Sequence, residues 1–283
     1  MAVTFDDLLA PGDAAVRRTL VMGVVNVTPD SFSDGGEFFG TAAAIDHAHR
    51  LRDEGADILD VGGESTAPES PPVSVEEECR RVLPVVERLA AEGAFVSVDT
   101  YKAEVARRAL DAGARMVNDV TALRGDPALA GVLAGSICPV VLMYSKDLTA
   151  RTTRQAPTYA DAVAEIAAFL RTRVAYAAAN GVAEGRIIID PGMGAFLSTE
   201  PGPSLDVLRR LGELHALGRP ILVGPSRKGF IGKVLDLPVR ERLEGSLACA
   251  AIAAWHGARL VRVHDVLPTV RVVRMVDAII RGR

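Results

Sequence analysis

The stretch ADILDVGGESTAPESPPVSVEEECRRVLPVVERLAAEGAFVSVDT, residues 56–100, holds one complete structural unit. Ile58 to Val61 is a short apolar run, as expected of a strand covered on both faces. A polar loop follows from Glu64 to Pro72. Ser74 then stands before Val75-Glu-Glu77, a hydroxyl at the N-cap with a glutamate at the third helical position, which predicts a capping box. Helical periodicity runs from Val75 to Ala91 and ends at Gly93, where a left-handed residue closes a helix. A second apolar run, Phe95 to Val98, begins the next unit, and Asp99 stands at its end.

The same alternation extends in both directions. Further strands are predicted at Leu20 to Val27, Met116 to Asn118, Val140 to Met143, Ile187 to Ile189, Ile221 to Val223 and Leu260 to Val263. Helices are predicted at Ala42 to Glu54, Lys102 to Ala112, Ala160 to Asn180, Ser204 to Leu217, Leu243 to His256 and Pro268 to Ile280, with a short one near Pro127 to Leu133. Gly55, Gly113, Gly181, Gly218 and Gly257 follow their helices as Gly93 does. Eight strand–helix pairs with short returns predict a closed (β/α)8 TIM barrel rather than an open doubly wound sheet. The 283 residues leave room for one domain or two; single barrels commonly fill about 250. The reading is therefore one barrel over residues 19–283 behind an N-terminal extension, residues 1–18.

Composition excludes several classes. With 49% apolar and 24% charged residues the chain can bury a core and is not wholly disordered. A net charge of −4 with no basic tract shows no footprint for nucleic acid or an anionic membrane. Cys79, Cys138 and Cys249 are few, separated and odd in number, which argues for a reducing compartment and against zinc spacing. The start, Met-Ala-Val-Thr-Phe-Asp-Asp, has no charged leader with an apolar core, and no run of about 18 apolar residues occurs. A cytoplasmic protein is expected.

The chemistry gathers where strands end. Asn26, Asp60, Asp99, Asn118, Asp190, Ser226 with Arg227 and Lys228, and Arg262 with His264 all fall there, at the rim where barrels build active sites. The polar loops Thr28 to Gly40, Glu64 to Pro72, Ser145 to Pro157 and Met193 to Pro203 belong to that rim as well. Arg262 and His264, two apart, face the same way on their strand. An arginine fork beside a histidine suits a phosphate or carboxylate; the alternative is an internal salt bridge from Arg262 to a rim aspartate. Asp99, Asn118 and Asp190 offer acceptors and Lys228 a cation, a set able to read a nitrogen heterocycle with adjacent N–H and NH₂ donors. The alternative there is a self-contained polar network. The role of Asp60 is left open.

Met22-Gly-Val-Val-Asn-Val-Thr-Pro-Asp-Ser-Phe-Ser-Asp-Gly-Gly36 resembles the first signature of the dihydropteroate synthase family, and Asp57-Ile-Leu-Asp-Val-Gly-Gly-Glu-Ser-Thr66 the second. Ser97-Val-Asp-Thr100, Val117-Asn-Asp119, Asp190-Pro-Gly192, Ser226-Arg-Lys228 and Arg262-Val-His-Asp265 match further on, in order. The resemblance implies a TIM barrel, homodimeric and Mg²⁺-assisted. Its reaction joins 6-hydroxymethyl-7,8-dihydropterin pyrophosphate to 4-aminobenzoate, releasing pyrophosphate. It implies that Asp99, Asn118, Asp190 and Lys228 hold the pterin. Asn26, Thr66, Arg262 and His264 would hold pyrophosphate, with Asn26 on the metal, and Ser226, Thr66 and Pro68 would meet aminobenzoate. Arg262, His264 and Lys228 would be the catalytic residues, Arg262 and His264 offsetting, with Mg²⁺, the charge that builds on the leaving group.

Three stretches depart from the family pattern. Ser65-Thr-Ala-Pro-Glu69 replaces Ser-Thr-Arg-Pro-Gly, Ala195-Phe-Leu-Ser-Thr-Glu200 replaces a Phe-Gly-Lys stretch, and Leu142-Met-Tyr-Ser-Lys146 stands where a histidine is common. Gly192-Met-Gly-Ala-Phe-Leu-Ser198 is similar to the loop of sulfonamide-insensitive synthases, which implies weak sulfonamide binding. A pterin-binding methyltransferase barrel and a paralogue without turnover are the competing readings. The former would lack the Arg262 and His264 pair.

Overall fold

The computed structural model describes residue 4, residues 18–27 and residues 36–282, apart from the side chains of residues 36–39. The N-terminal extension, save Thr4 and Arg18, and the Thr28 to Gly35 part of the first rim loop lie outside the described residues. Eight parallel strands are present: β1 (Leu20–Asn26), β2 (Ile58–Gly62), β3 (Val96–Asp99), β4 (Met116–Asp119), β5 (Val140–Met143), β6 (Ile187–Asp190), β7 (Leu222–Val223) and β8 (Leu260–Val263). They hydrogen-bond in the order β6-β5-β4-β3-β2-β1-β8-β7. A single parallel bridge, Ile189 to Ile221, joins β6 to β7 and closes the ring. The predicted barrel is the observed one.

Around it run α1 (Gly36–Asp53), α2 (Val75–Ala91), α3 (Ala103–Asp111), α4 (Leu129–Ala134), α5 (Ala162–Ala179), α6 (Pro201–Arg209), α7 (Gly229–Leu235), α8 (Leu243–Trp255) and α9 (Val266–Arg281). Three local expectations are corrected. The helix expected from Ala42 starts at Gly36, inside the stretch read as loop. The helix expected over Ser204 to Leu217 is α6 followed by a 3₁₀ segment, Leu211–Leu217. α7 was not predicted, because seven residues are too few to display a helical period.

The capping box is half made. Ser74 Oγ accepts from Glu77 N at 3.2 Å, but the Glu77 carboxylate turns to Arg80 and Arg81 rather than back to Ser74. The six glycines expected after helices all take positive φ, between 64° and 104°. At Gly113 space is tight too: a Cβ would lie 2.7 Å from that of Ala90 on α2. Thr19, just before β1, donates to both carboxylate oxygens of Asp277 on α9, at 2.8 and 2.9 Å, tying the first strand to the last helix.

Alternation along the strands sorts their side chains into two cores. Outward residues such as Val21, Val61, Val98, Val117, Leu142, Ile189, Val223 and Val261 pack under the helices. Inward, Leu20, Met22, Ile58, Phe95, Met116, Val141, Ile188, Leu222 and Leu260 form a separate apolar cluster that fills the barrel. Two residues further along the same strands stand Val24, Asp60, Ser97, Asn118, Met143, Asp190, Gly224 and Arg262. An apolar plug therefore floors a polar layer at the C-terminal end of the strands.

Candidate active site

That polar layer opens into a cavity lined by Thr66, Asp99, Asn118, Asp190, Ser226, Lys228, Arg262 and His264, with Val120, Met143, Met193 and Phe196 supplying apolar walls. Eight of the ten residues to which the family resemblance gives a role thus converge. Asn26 and Pro68 are exposed and are not on this lining.

Arg262 organises the centre. Its Nε donates to Asp60 Oδ2 and its Nη2 to Asp99 Oδ2, both at 2.6 Å. Asn118 Nδ2 donates to the same Asp60 oxygen at 3.0 Å. The internal salt bridge left open as an alternative is therefore made, and Asn118 joins it through Asp60. Asp60 is fully buried, and among the described residues its Oδ1 has no partner. Neither Asp60–Arg262 nor Asp99–Arg262 is a local pair, so their sequence signal is only the shared inward register above the apolar plug.

Burial sets the charges. It pushes Asp99 up to about 7, with the Arg262 guanidinium opposing and the Asp60 carboxylate adding to the rise. It lifts Asp190 to about 6, although the Gly192 N–H, 2.7 Å from Asp190 Oδ1, favours the carboxylate. Gly192 has φ +70°, and any side chain there would strike the Tyr144 carbonyl. Lys228 falls to about 8 through burial, with Arg262 as a further cause. Its Nζ lies 4.9 Å from the centre of the Phe196 ring. For Arg262, burial alone would lower the pKa, but the Asp60 and Asp99 carboxylates outweigh it.

His264 is lowered to about 4, first by burial and then by Arg262, Arg227 and Lys228. It is therefore neutral near pH 7, and would meet an anion as a hydrogen-bond donor rather than as a cation. Ser226 Oγ accepts from the His264 backbone N–H at 3.1 Å and lies 3.0 Å from Nδ1. If the hydroxyl gives its own proton to Nδ1, the ring proton sits on Nε2, free to donate. Arg227 takes no part in the cavity and instead grips Asp265.

Asp119, next to Asn118, is also fully buried, and it is structural. It accepts from Thr121 N, Thr121 Oγ and Leu123 N at 2.8, 2.7 and 2.6 Å, holding a turn in which Ala122 and Leu123 have positive φ. Sequence reasoning missed this, as it missed Phe196 and Met143 as cavity walls. Met143 was accessible in principle, two residues beyond the inward Val141.

An arginine held between two carboxylates, with a lysine and a histidine beside it, stands at the C-terminal mouth of a TIM barrel, where such folds build active sites. Residues 22–264 match the profile described as "pterin binding enzyme". The chain is 44% identical over 264 residues to the dihydropteroate synthase of Escherichia coli K12, covering 93% of this chain and 92% of that one. The chain belongs to the dihydropteroate synthase family.

Solved synthase structures superpose closely. That of Xanthomonas albilineans with 4-aminobenzoic acid has a TM-score of 0.86 at 46% identity, covering 93% of each chain. The same species' synthase in complex with 7,8-dihydropteroate gives 0.81 at 41%, covering 98% of this chain and 94% of that one. These relatives are synthases, which separates the chain from a methyltransferase barrel with a similar pterin site. Among the described residues no group of three or more His, Cys, Asp or Glu could hold a metal ion. None of the described helices is long and apolar enough to cross a membrane.

Proposed function

We infer that this synthase condenses 6-hydroxymethyl-7,8-dihydropterin pyrophosphate with 4-aminobenzoate, giving 7,8-dihydropteroate and pyrophosphate in folate biosynthesis. The observation that carries the residue assignment is the convergence of Asp99, Asn118, Asp190 and Lys228 with Arg262 and His264 in one cavity. Asp190 and Asn118 would pair with the pterin's N–H and NH₂ groups, and Lys228 would donate to its ring acceptors. Val120, Met143 and Phe196 offer apolar surface to a flat ring. Asp99, raised to about 7 and so only partly ionised at neutral pH, would favour a cationic pterin in its ionised form.

Arg262 would turn from its carboxylates towards the leaving pyrophosphate, and neutral His264 would donate from Nε2 to the same oxygens. The methylene C–O bond breaks as pyrophosphate departs with the bonding electrons, leaving a cation spread into the pterin ring. The arylamine lone pair then forms the C–N bond and the amine proton passes to water. No covalent attachment to the protein is needed.

Mg²⁺ fits this donor set. Such ions bind through few protein groups, retain waters and lean on substrate phosphates. Asn26, whose residue is exposed at the end of β1, would offer one amide oxygen, with pyrophosphate oxygens and water as the other ligands. When bound, the ion offsets negative charge on the leaving group. Ser226 and Thr66, on the cavity wall, and Pro68, on the adjoining loop, would meet 4-aminobenzoate. The changed β6 loop around Phe196 motivates the further reading that sulfonamides bind weakly. An inhibition constant as low as that of a sensitive synthase would refute it.

Three free cysteines, two of them buried, suit a reducing cytoplasm. Exposed Ile252 and Trp255 on α8, beside exposed Met275 and Ile279 on α9, favour a homodimer. Sedimentation should then give twice the 29.9 kDa chain mass. The central test is formation of pteroate and pyrophosphate from the two substrates with Mg²⁺, together with rescue of a strain lacking its own synthase. Soluble protein that fails at both would leave a pterin-binding paralogue without turnover.

A further inference from the structure

Outside the cavity, four charged side chains from four segments meet beneath the Glu64–Pro72 loop. Lys102, at the start of α3, places Nζ 2.5 Å from Glu64 Oε2, 2.6 Å from Glu78 Oε2 on α2, and 2.6 Å from the Val73 carbonyl. The fourth is Arg151, from the loop after β5. Its Nη2 donates to Glu64 Oε1 and, at 2.8 Å, to the Pro71 carbonyl, while Nε donates to the Ser70 carbonyl at 2.6 Å. The Glu64 and Glu78 side chains are only 6% and 1% exposed. Two cations thus balance two buried carboxylates, and losing either cation would leave a net buried negative charge.

Arg151 grips the β2 loop on both sides of Thr66: at Glu64 before it, and at Ser70 and Pro71 after it. The next residue, Thr152, donates its N–H to the Thr66 carbonyl at 3.1 Å. Thr66 is the member of this loop that lines the cavity, whereas none of the four charged residues does. Lys102 holds Glu64 to the helices. Arg151 and its neighbour carry that hold across to the strand-five side of the mouth.

We propose that Arg151 is a positioning residue: it fixes the Glu64–Pro72 loop, and through it Thr66, against the aminobenzoate side of the cavity. The inference rests on the substrate assignment above and adds to it a residue outside the site. A second pair spans the same two loops, Arg154 with Glu69, but its side chains are 73% and 80% exposed. Such a pair contributes little. It therefore serves as an internal control.

The test uses full-length Arg151→Ala, Arg151→Lys and Arg154→Ala proteins. Arg151→Ala should raise the KM for 4-aminobenzoate by about tenfold or more with kcat changed by roughly threefold at most, because a displaced loop misplaces a substrate contact. Affinity for a pterin lacking pyrophosphate, read by calorimetry, should stay within about twofold, since the pterin groups sit on other strands. Arg151→Lys should recover part of the KM loss, and Arg154→Ala should match the parent. Hydrogen–deuterium exchange over residues 64–72 should quicken in Arg151→Ala and not in Arg154→Ala. An unchanged KM with unchanged exchange would overturn the proposal. So would proportional losses of pterin and aminobenzoate affinity with a lowered Tm, the mark of general destabilisation. If the parent protein itself makes no pteroate, the substrate assignment falls, while 4-aminobenzoate binding and the exchange experiment still decide the role of Arg151.

Discussion

Two layers of the barrel interior are built from the same eight strands, two residues apart, and they could hardly differ more. The lower holds Leu20, Met22, Ile58, Phe95, Met116, Val141, Ile188, Leu222 and Leu260, a wholly apolar cluster. The upper holds Asp60, Ser97, Asn118, Asp190 and Arg262 among its members, with Asp190, and Asp99 just above, pushed towards neutrality and the arginine clamped between Asp60 and Asp99. One layer satisfies every rule of burial and the other strains against them. The division of labour follows: the lower layer closes the ring, and the upper one stores unfavourable charge that a ligand with complementary donors and acceptors can relieve.

The largest effect should come from Arg262→Ala in the upper layer. It removes the anion donor and leaves Asp60 and Asp99 without their cation, so kcat/KM with the pyrophosphate-bearing pterin should fall by about 10³, or roughly 4 kcal/mol. Affinity for a pterin lacking pyrophosphate should fall much less. Equal losses in the two titrations would remove the anion role.

Next comes the lower layer. Ile188→Ala, at a fully buried site, should cost about 2–5 kcal/mol in denaturant unfolding while kcat per folded molecule stays at the parent level. A drop in kcat with stability retained would mean that the two layers are not separable.

The smallest effect concerns pH. The folded-state pKa of Asp190 is raised from 3.8 to about 6, so its contribution to stability is full below pH 3.8 and is lost as pH rises towards and through 6. Wild-type protein should therefore lose about 1 kcal/mol relative to Asp190→Asn between pH 5 and 7. Lys228 has the opposite sign: its pKa is depressed from 10.5 to about 8, so its contribution is full above 10.5 and is lost as pH falls through 8. A difference between wild type and Asp190→Asn that does not change with pH would show that Asp190 is not held near neutrality.

The contrast between layers also explains what could be read in advance. Strands such as Val140 to Met143 and Leu260 to Val263, and the helix Val75 to Ala91, are found where the pattern puts them, because continuous apolar runs and helical spacing are local signals. The upper layer was legible as polar residues at strand ends, since alternation aims Asn118, Asp190 and Arg262 inward above apolar partners. Their mutual contacts were not. Arg262 meets Asp60 across 202 residues and Arg151 meets Glu64 across 87, and no local pattern encodes such distances. The lowered pKa of His264 likewise depends on burial, and then on three cations, brought about by folding. β7 shrank to Leu222 and Val223 because Pro220 and Pro225 bracket it and cannot donate to a ladder.

That short strand leaves the hoop with a thin weld. Between β6 and β7 the backbone offers one bridge and the bond from Ile189 N to the Pro220 carbonyl at 2.9 Å. Asp190 stands on one lip of this gap and Lys228 follows the other, so a pterin held by both would rivet the ring where its own stitching is sparsest.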